Sequence, residues 1–169
     1  QASEDEGTIE QVLPRRNLFY RQDEIRTKSF AANLDHVLIL IAAEPEFSEH
    51  QLARALIAAE AERITPIIAL NKSDLAEPFE RAWNKLAPYR RMHHGVLPLS
   101  LKASGEADYA SLMKLLAGKS TLVLGPSGAG KSTLINLLVP GATALTGEIS
   151  QALNSGKHTT TSTTWYWVD

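Results

Sequence analysis

The chain of 169 residues contains no cysteine. That excludes a disulfide scaffold, a cysteine nucleophile and any thiolate metal site, and it fits a reducing compartment such as the cytoplasm. Long apolar runs are missing too. The longest, Val37 to Ala43, is far too short to span a membrane. A basic excess is also absent. The formal net charge is −2, unlike that of a dedicated nucleic-acid binder. The first ten residues hold four acids and no base, so they do not read as a secretory signal peptide. What is present is ordinary for a globular domain: 44% apolar and 21% charged residues. The length predicts one domain with a small appendage, large enough to bury a core. Charge is uneven along it. Residues 14–30 hold five bases (Arg15, Arg16, Arg21, Arg26, Lys28) against Asp23 and Glu24, with Phe19 and Tyr20 between them. Such a stretch can touch RNA phosphates and bases, or be a solvated linker.

Residues 8–13 and 17–21 read as short strands around a Pro14-Arg15-Arg16 turn, and residues 22–33 as a polar connector. From Leu34 the pattern changes. Residues 34–42, 64–71, 95–100 and 120–125 are buried-type strands, nearly continuous in apolar residues. Between them lie predicted helices. One runs from Ser48 to Arg63, with Ser48 and Gln51 as a capping box and Leu52, Leu56 and Ala59 at helical spacing. Others cover 78–91, 107–117 and Lys131 to Leu138. A Thr/Ser/Gly-rich stretch (141–163) has no periodicity, and 164–168 reads as a last alternating strand. Strands alternating with helices imply an α/β fold with a mainly parallel sheet. The chain stops directly after that last strand, which reads as the end of a fragment.

The strongest chemical signal is Gly125-Pro126-Ser127-Gly128-Ala129-Gly130-Lys131-Ser132, which satisfies G-x-x-x-x-G-K-[ST] between a strand and a helix. Glycines let the backbone curl so that amide N–H groups face phosphate oxygens, and the helix N-terminus adds a favourable dipole. Lys131 can reach the β- and γ-phosphates, and the Ser132 hydroxyl can ligate Mg²⁺. The bland alternative is a chance glycine-rich turn. The loop alone says nucleoside triphosphate and not which one.

A second signal is Asn71-Lys72-Ser73-Asp74 at the end of a buried strand, where ligands bind in such sheets. A carboxylate at Asp74 can accept from guanine N1–H and the 2-amino group together, a donor pair adenine lacks. Asn71 can contact the O6/N7 edge and tie down neighbouring loops, and the Lys72 stem can lie across the base. The alternative is a plain turn. Ser100-Leu101-Lys102 follows another strand and can offer backbone N–H to O6, or be an ordinary strand-to-helix loop. Residues Lys157 to Thr164 (KHTTTSTT) can close on Mg²⁺ and the γ-phosphate, or be a flexible polar loop. His158 either positions water and stabilises charge or is a solvent histidine. His93-His94 reads as a solvated helix end, His36 and His50 as structural, and Trp165 and Trp167, on one strand face, as packing or else as a base-stacking platform.

The order of these motifs is rotated. In ordinary GTPases the phosphate loop comes first and N-K-x-D late; here they stand at 125 and 71. This order, with the wording GPSGAGKSTLINLL, KHTTT and PIIALNKSD, resembles the RsgA/YjeQ family of circularly permuted GTPases that depend on the small ribosomal subunit. The resemblance implies a P-loop NTPase domain over residues 34–169, incomplete at its C-terminus. Residues 1–33 would be the last strands of an OB-fold and a connector. It implies GTP hydrolysis stimulated by the small (30S) subunit and its rRNA, in late subunit maturation, by a cytoplasmic monomer with no membrane contact. Gly125 to Thr133 would hold the phosphates of GTP or GDP, and Asn71 to Asp74 with Ser100 to Lys102 would read guanine. Thr160, with Thr159 as the adjacent possibility, would be the switch threonine that joins Ser132 at Mg²⁺. Lys131, Thr160 and His158 would carry catalysis. The family's D-[ST]-P-G motif, most of its OB-fold and its zinc domain are not in this sequence, so no zinc ligands are expected here and hydrolysis by the chain alone would be poor. Two other readings compete: a P-loop ATPase, and a GTP-dependent assembly module without turnover.

Overall fold

The computed structural model describes residues 8–22, 27–103, 106–139, 142 and 163–168. Two sheets form. The first is an antiparallel ribbon of β1 (Leu18–Gln22) and β2 (Thr27–Ala32), with a bulge between Phe19 and Tyr20. The second has four parallel strands, β3 (His36–Ala42), β4 (Thr65–Asn71), β5 (Val96–Pro98) and β6 (Thr121–Leu124), in the order β5-β4-β3-β6. The helices are α1 (Glu49–Ala61), α2 (Ala76–Lys85), α3 (Ala87–Arg91), α4 (Glu106–Leu116) and α5 (Lys131–Leu138). The α/β class and the parallel sheet are as the sequence predicts.

The parallel strands are apolar without interruption because both of their faces are covered. Side chains alternate across a strand, so Val37, Ile39 and Ile41 point one way and Leu38 and Leu40 the other. The first set packs with Ile68 and Leu70 of β4, Leu52, Leu56 and Ala59 of α1, Ala82 of α2 and Tyr89 of α3. The second packs with Ala69 of β4, Leu112 of α4 and Leu134 and Leu138 of α5. Leu38, Leu40, Ile68 and Leu70 are completely buried. Such a doubly covered sheet holds its strand ends rigidly, and the carboxyl ends of β3, β4, β5 and β6 all open on the same edge.

Several local expectations are corrected. Residues 8–17 form no strand, and Ile9, Val12 and Leu13 are exposed. The connector expected at 22–33 instead contains β2, whose TKSFAA sequence is unremarkable by itself and becomes a strand by pairing with β1. The single helix expected over 78–91 is two. Pro88 has no N–H and would clash with the preceding turn of a continuous helix, so it sits in the first turn of a new one. Residues 163–168 are not a strand: no described residue pairs with them. Trp165 and Trp167 meet edge to face at 5.8 Å, and both are exposed rather than packed.

Histidine readings also change. His94 is not solvated: its side chain is largely covered, 3.7 Å from Glu60 and beside Tyr89. His93 is exposed, as expected, while His50 is exposed rather than structural. His36 is half-buried with Nδ1 lacking a described partner, and burial pushes its pKa down.

The ribbon is fastened to the parallel sheet by side chains that imitate backbone. Buried Asn17 donates from Nδ2 to the Leu34 carbonyl and accepts the Leu34 N–H at Oδ1, both at 2.8 Å. Asp35 accepts the Ser120 N–H at 2.9 Å and pairs with Arg16 at 3.1 Å, which holds its carboxyl below the usual carboxylate range. Phe19 then joins the core beneath α1. Asn17→Ala leaves both Leu34 groups without partners in a buried place. It should lower stability by about 2 kcal/mol in urea unfolding; an unchanged midpoint and slope would show the two bonds to be dispensable.

Candidate functional site

Three loops meet at the carboxyl edge of the parallel sheet. The first is the glycine-rich turn between β6 and α5. Gly128 and Gly130 adopt φ of 79° and 105°, conformations that side chains resist. A Cβ at Gly125 would overlap the Leu40 carbonyl, and one at Gly130 would run into Asn71 Nδ2. Gly130 is also the N-cap of α5, so the first turn of this helix has no side-chain cap. By contrast, Ser48 caps α1 through the Gln51 N–H. The uncapped N–H groups of α5 suit an anion. Lys131 Nζ folds back over the turn and donates to the carbonyls of Gly125 and Pro126, both at 2.7 Å. Burial pulls its pKa below the usual lysine value. Ser127 and Ser132 are exposed, Pro126 and Thr133 half-buried, and Ala129 fully buried.

The second loop leaves β4. Asn71 is buried, and its amide is used at both ends. Nδ2 donates to the Ala129 carbonyl at 2.9 Å, and Oδ1 accepts the Leu101 N–H at 3.2 Å. One side chain therefore joins the glycine-rich turn to the third loop. Of the two roles expected for Asn71, this is the loop-tying one. Lys72 takes a φ of 66°, and its Nζ donates to the Glu44 carbonyl at the end of β3. Ser73 N–H donates to the Leu99 carbonyl at 2.9 Å. Asp74 is exposed, with one carboxylate oxygen accepting from Ser100 Oγ at 2.6 Å. That bond is the main reason its pKa lies below the usual carboxylate range.

The third loop is Ser100-Leu101-Lys102. Ser100 and Leu101 are buried and Lys102 is exposed. The Ser100 N–H donates to Asp108 Oδ2 in the first turn of α4, at 2.5 Å. Asp108 carried no signal in the sequence beyond being an acid near a helix start. An acid there is common, and only the fold shows which amide it meets. His158, Thr159 and Thr160 lie outside the described residues, so the structure brings together the glycine-rich, Asn71-Lys72-Ser73-Asp74 and Ser100-Leu101-Lys102 segments, three of the four segments singled out in the sequence.

The RsgA GTPase family matches residues 12–169. The chain belongs to the RsgA GTPase family. It is 99% identical, over its whole length, to a protein of Variovorax paradoxus (strain S110) named "Small ribosomal subunit biogenesis GTPase RsgA", of which it covers 53%. The chain thus spans about half the length of the curated relatives it matches. Among solved structures, it resembles YjeQ from Thermotoga maritima with a TM-score of 0.63 and 29% identity, over 78% of this chain and 45% of that one. A likeness in fold extends to YloQ, described as a circularly permuted GTPase, with a TM-score of 0.56 and 24% identity, over 78% of this chain and 52% of that one. The rotated motif order stands in the sequence itself, and the chain shares its fold with YjeQ and YloQ over the matched part. No described helix is long and apolar enough to cross a membrane.

In this RsgA-family chain the Asn71 amide faces one acceptor and one donor, and only an uncharged amide satisfies both. Asn71→Ala should cost about 2–3 kcal/mol, because it strands two buried backbone groups. Asn71→Asp should cost at least as much, since its carboxylate would face the Ala129 carbonyl. Chemical denaturation of both variants checks the order; a milder effect for aspartate would contradict the assigned orientation of the amide.

Proposed function

We propose that this chain is the nucleotide-binding core of a GTPase that acts in maturation of the small ribosomal subunit. The observation that carries the reading is the Asn71 clasp. It holds a phosphate-type loop against a pair of loops shaped to read a base. The relatives' name supplies the ribosomal partner and, with it, a cytoplasmic location.

Asp74 presents a carboxylate at the exposed rim, with Ser100 fixing one oxygen. That carboxylate accepts from guanine N1–H and the 2-amino group; adenine offers no such pair, which disfavours an ATPase. The N–H groups of the Gly125–Thr133 segment and the α5 terminus neutralise phosphate charge, and Lys131 exchanges its two loop carbonyls for phosphate oxygens. Phosphoryl transfer asks little covalent chemistry of the protein, so positioning and charge stabilisation dominate. The Ser132 hydroxyl, exposed in the first turn of α5, is a fitting oxygen ligand for a divalent cation beside the phosphates. Ser132 and Thr160 would hold Mg²⁺, which when bound offsets charge on the β- and γ-phosphates. Thr160 senses the γ-phosphate and His158 orients water or stabilises charge in this proposal. The domain boundary is drawn at residues 33/34, where the ribbon gives way to the parallel sheet.

Steady-state hydrolysis of GTP and ATP, with and without purified small subunits, tests the whole reading. GTP-selective turnover should rise with subunits, and Lys131→Ala should lower it on the order of a hundredfold or more. Selective GTP binding with negligible turnover in the intact protein would favour the non-catalytic assembly module. Equal use of ATP would remove the guanine assignment.

The depressed pKa of Asp74 gives a pH signature. Guanine reading needs the ionised carboxylate, so GDP affinity should hold as pH falls through the usual carboxylate range and fail only below it. Ser100→Ala removes the main cause of the depression and should move this acid limb to higher pH. A limb at the same pH in both proteins would uncouple Ser100 from Asp74.

A further inference from the structure

We infer that Asp108 is a positioning residue for guanine specificity, acting through Ser100 on Asp74. The inference rests on the guanine reading proposed above and names a residue outside every motif that defines it.

The chain of contacts is short and continuous. Asp108 Oδ2 accepts the Ser100 N–H at 2.5 Å, and Ser100 Oγ donates to Asp74 Oδ1 at 2.6 Å. Both bonds end on a carboxylate, which makes them stronger and more directional than neutral ones. Ser100 itself is buried, so a loss of the Asp108 acceptor is costly at its N–H. Asp74 differs: it is exposed and, apart from its bonds, is free to swing about two side-chain torsions. A carboxylate reads a coplanar pair of donors only when its own plane is fixed. Ser100 Oγ supplies that fixation, and the place of Oγ is set by the Ser100 backbone. Asp108 holds that backbone from the side of α4, while Asn71 holds the next residue, Leu101. The two side chains divide the work. Asn71 fixes where the loop lies relative to the phosphate turn, and Asp108 fixes where the serine points.

Loss of Asp108 should therefore blur the reading of the 2-amino group more than it weakens nucleotide binding at large. GDP and IDP make the comparison, since hypoxanthine keeps N1–H and O6 and lacks the 2-amino group. Binding of both to the intact protein should show the GDP preference falling about fivefold in Asp108→Ala, with the affinity for IDP changed much less. Asp108→Asn loses the charge and keeps an acceptor at the right reach, so it should retain most of the preference. Asp108→Glu keeps the charge and moves the acceptor by one methylene, so it should lose the preference; it also serves if the alanine variant does not fold. A purely structural or helix-dipole role predicts the opposite order, with Glu tolerated and Asn not, or equal loss for GDP and IDP. Either result would overturn the inference. Asp74→Ala separates the two levels. If it abolishes the GDP preference while the Asp108 variants keep it, Asp108 has no positioning role and the guanine reading stands. If Asp74→Ala leaves the preference intact, the guanine reading itself fails.

Discussion

The site depends on one buried amide. Asn71 offers a donor and an acceptor in one rigid plane, and each meets one backbone group, the Ala129 carbonyl and the Leu101 N–H. Neither loop has a hydrogen-bonded ladder to hold it at that point. Without the amide, each would present an unpaired polar group to a buried space, at a cost of about 1–3 kcal/mol apiece. The same residue also shapes the glycine-rich turn from outside. Its Nδ2 stands too close to where a Cβ of residue 130 would be, so a glycine is required there by both torsion and space. Sequence and structure thus constrain each other across the site: the amide needs the glycine, and the turn needs the amide.

The sheet beneath explains why one amide suffices. Uninterrupted burial shows the central parallel strands covered on both faces, so their ends move little, and each loop begins and ends at a fixed point. Gly125 shows the tolerance involved, because its Cα approaches the Leu40 carbonyl too closely for any side chain. The turn is therefore pressed against β3 at one end and clasped to β4 at the other. Lys131 adds a third tie through its two carbonyl partners. These two bonds are charge-assisted and confined to the loop, so they shape the turn without linking it to other elements.

Much of this was legible in the sequence, for reasons that vary by element. The parallel strands announce themselves because double burial demands uninterrupted apolar residues. The phosphate-type turn does so because torsion demands glycine at fixed spacing, and α1 because its cap and stripe are local. What failed was non-local. The ribbon strand β2 has no alternation strong enough to be seen, and it exists because β1 lies beside it. Residues 8–13, expected as a strand, have no pairing partner among the described residues and form none. Within the site, Asn71 was readable as a loop tie only because N-K-x-D stood beside a phosphate-type loop. Asp108 was not readable at all, since its importance comes from the amide it meets and not from any residue pattern around it.

The rotated order of the motifs follows from the same physics. The bond between Asn71 and Ala129 joins positions 58 residues apart, and nothing in its geometry records which partner came first in the chain. The energy of the site resides in spatial pairs at one edge of a rigid sheet. Chain order alters only which connections must close, and the entropy of closing a loop grows slowly with its length. A permuted chain can therefore keep the same clasp, the same turn and the same exposed carboxylate at Asp74. What permutation does change is adjacency. The phosphate-type turn and α5 come last among the regular elements described here, directly before the Thr/Ser-rich stretch that contains Thr160. The loops after β4 and β5, by contrast, sit in the middle of the chain. In the proposed GTPase, the side that distinguishes triphosphate from diphosphate is thereby joined to the chain that follows it, and the side that selects guanine is bounded in the chain by strands of the sheet before and after it.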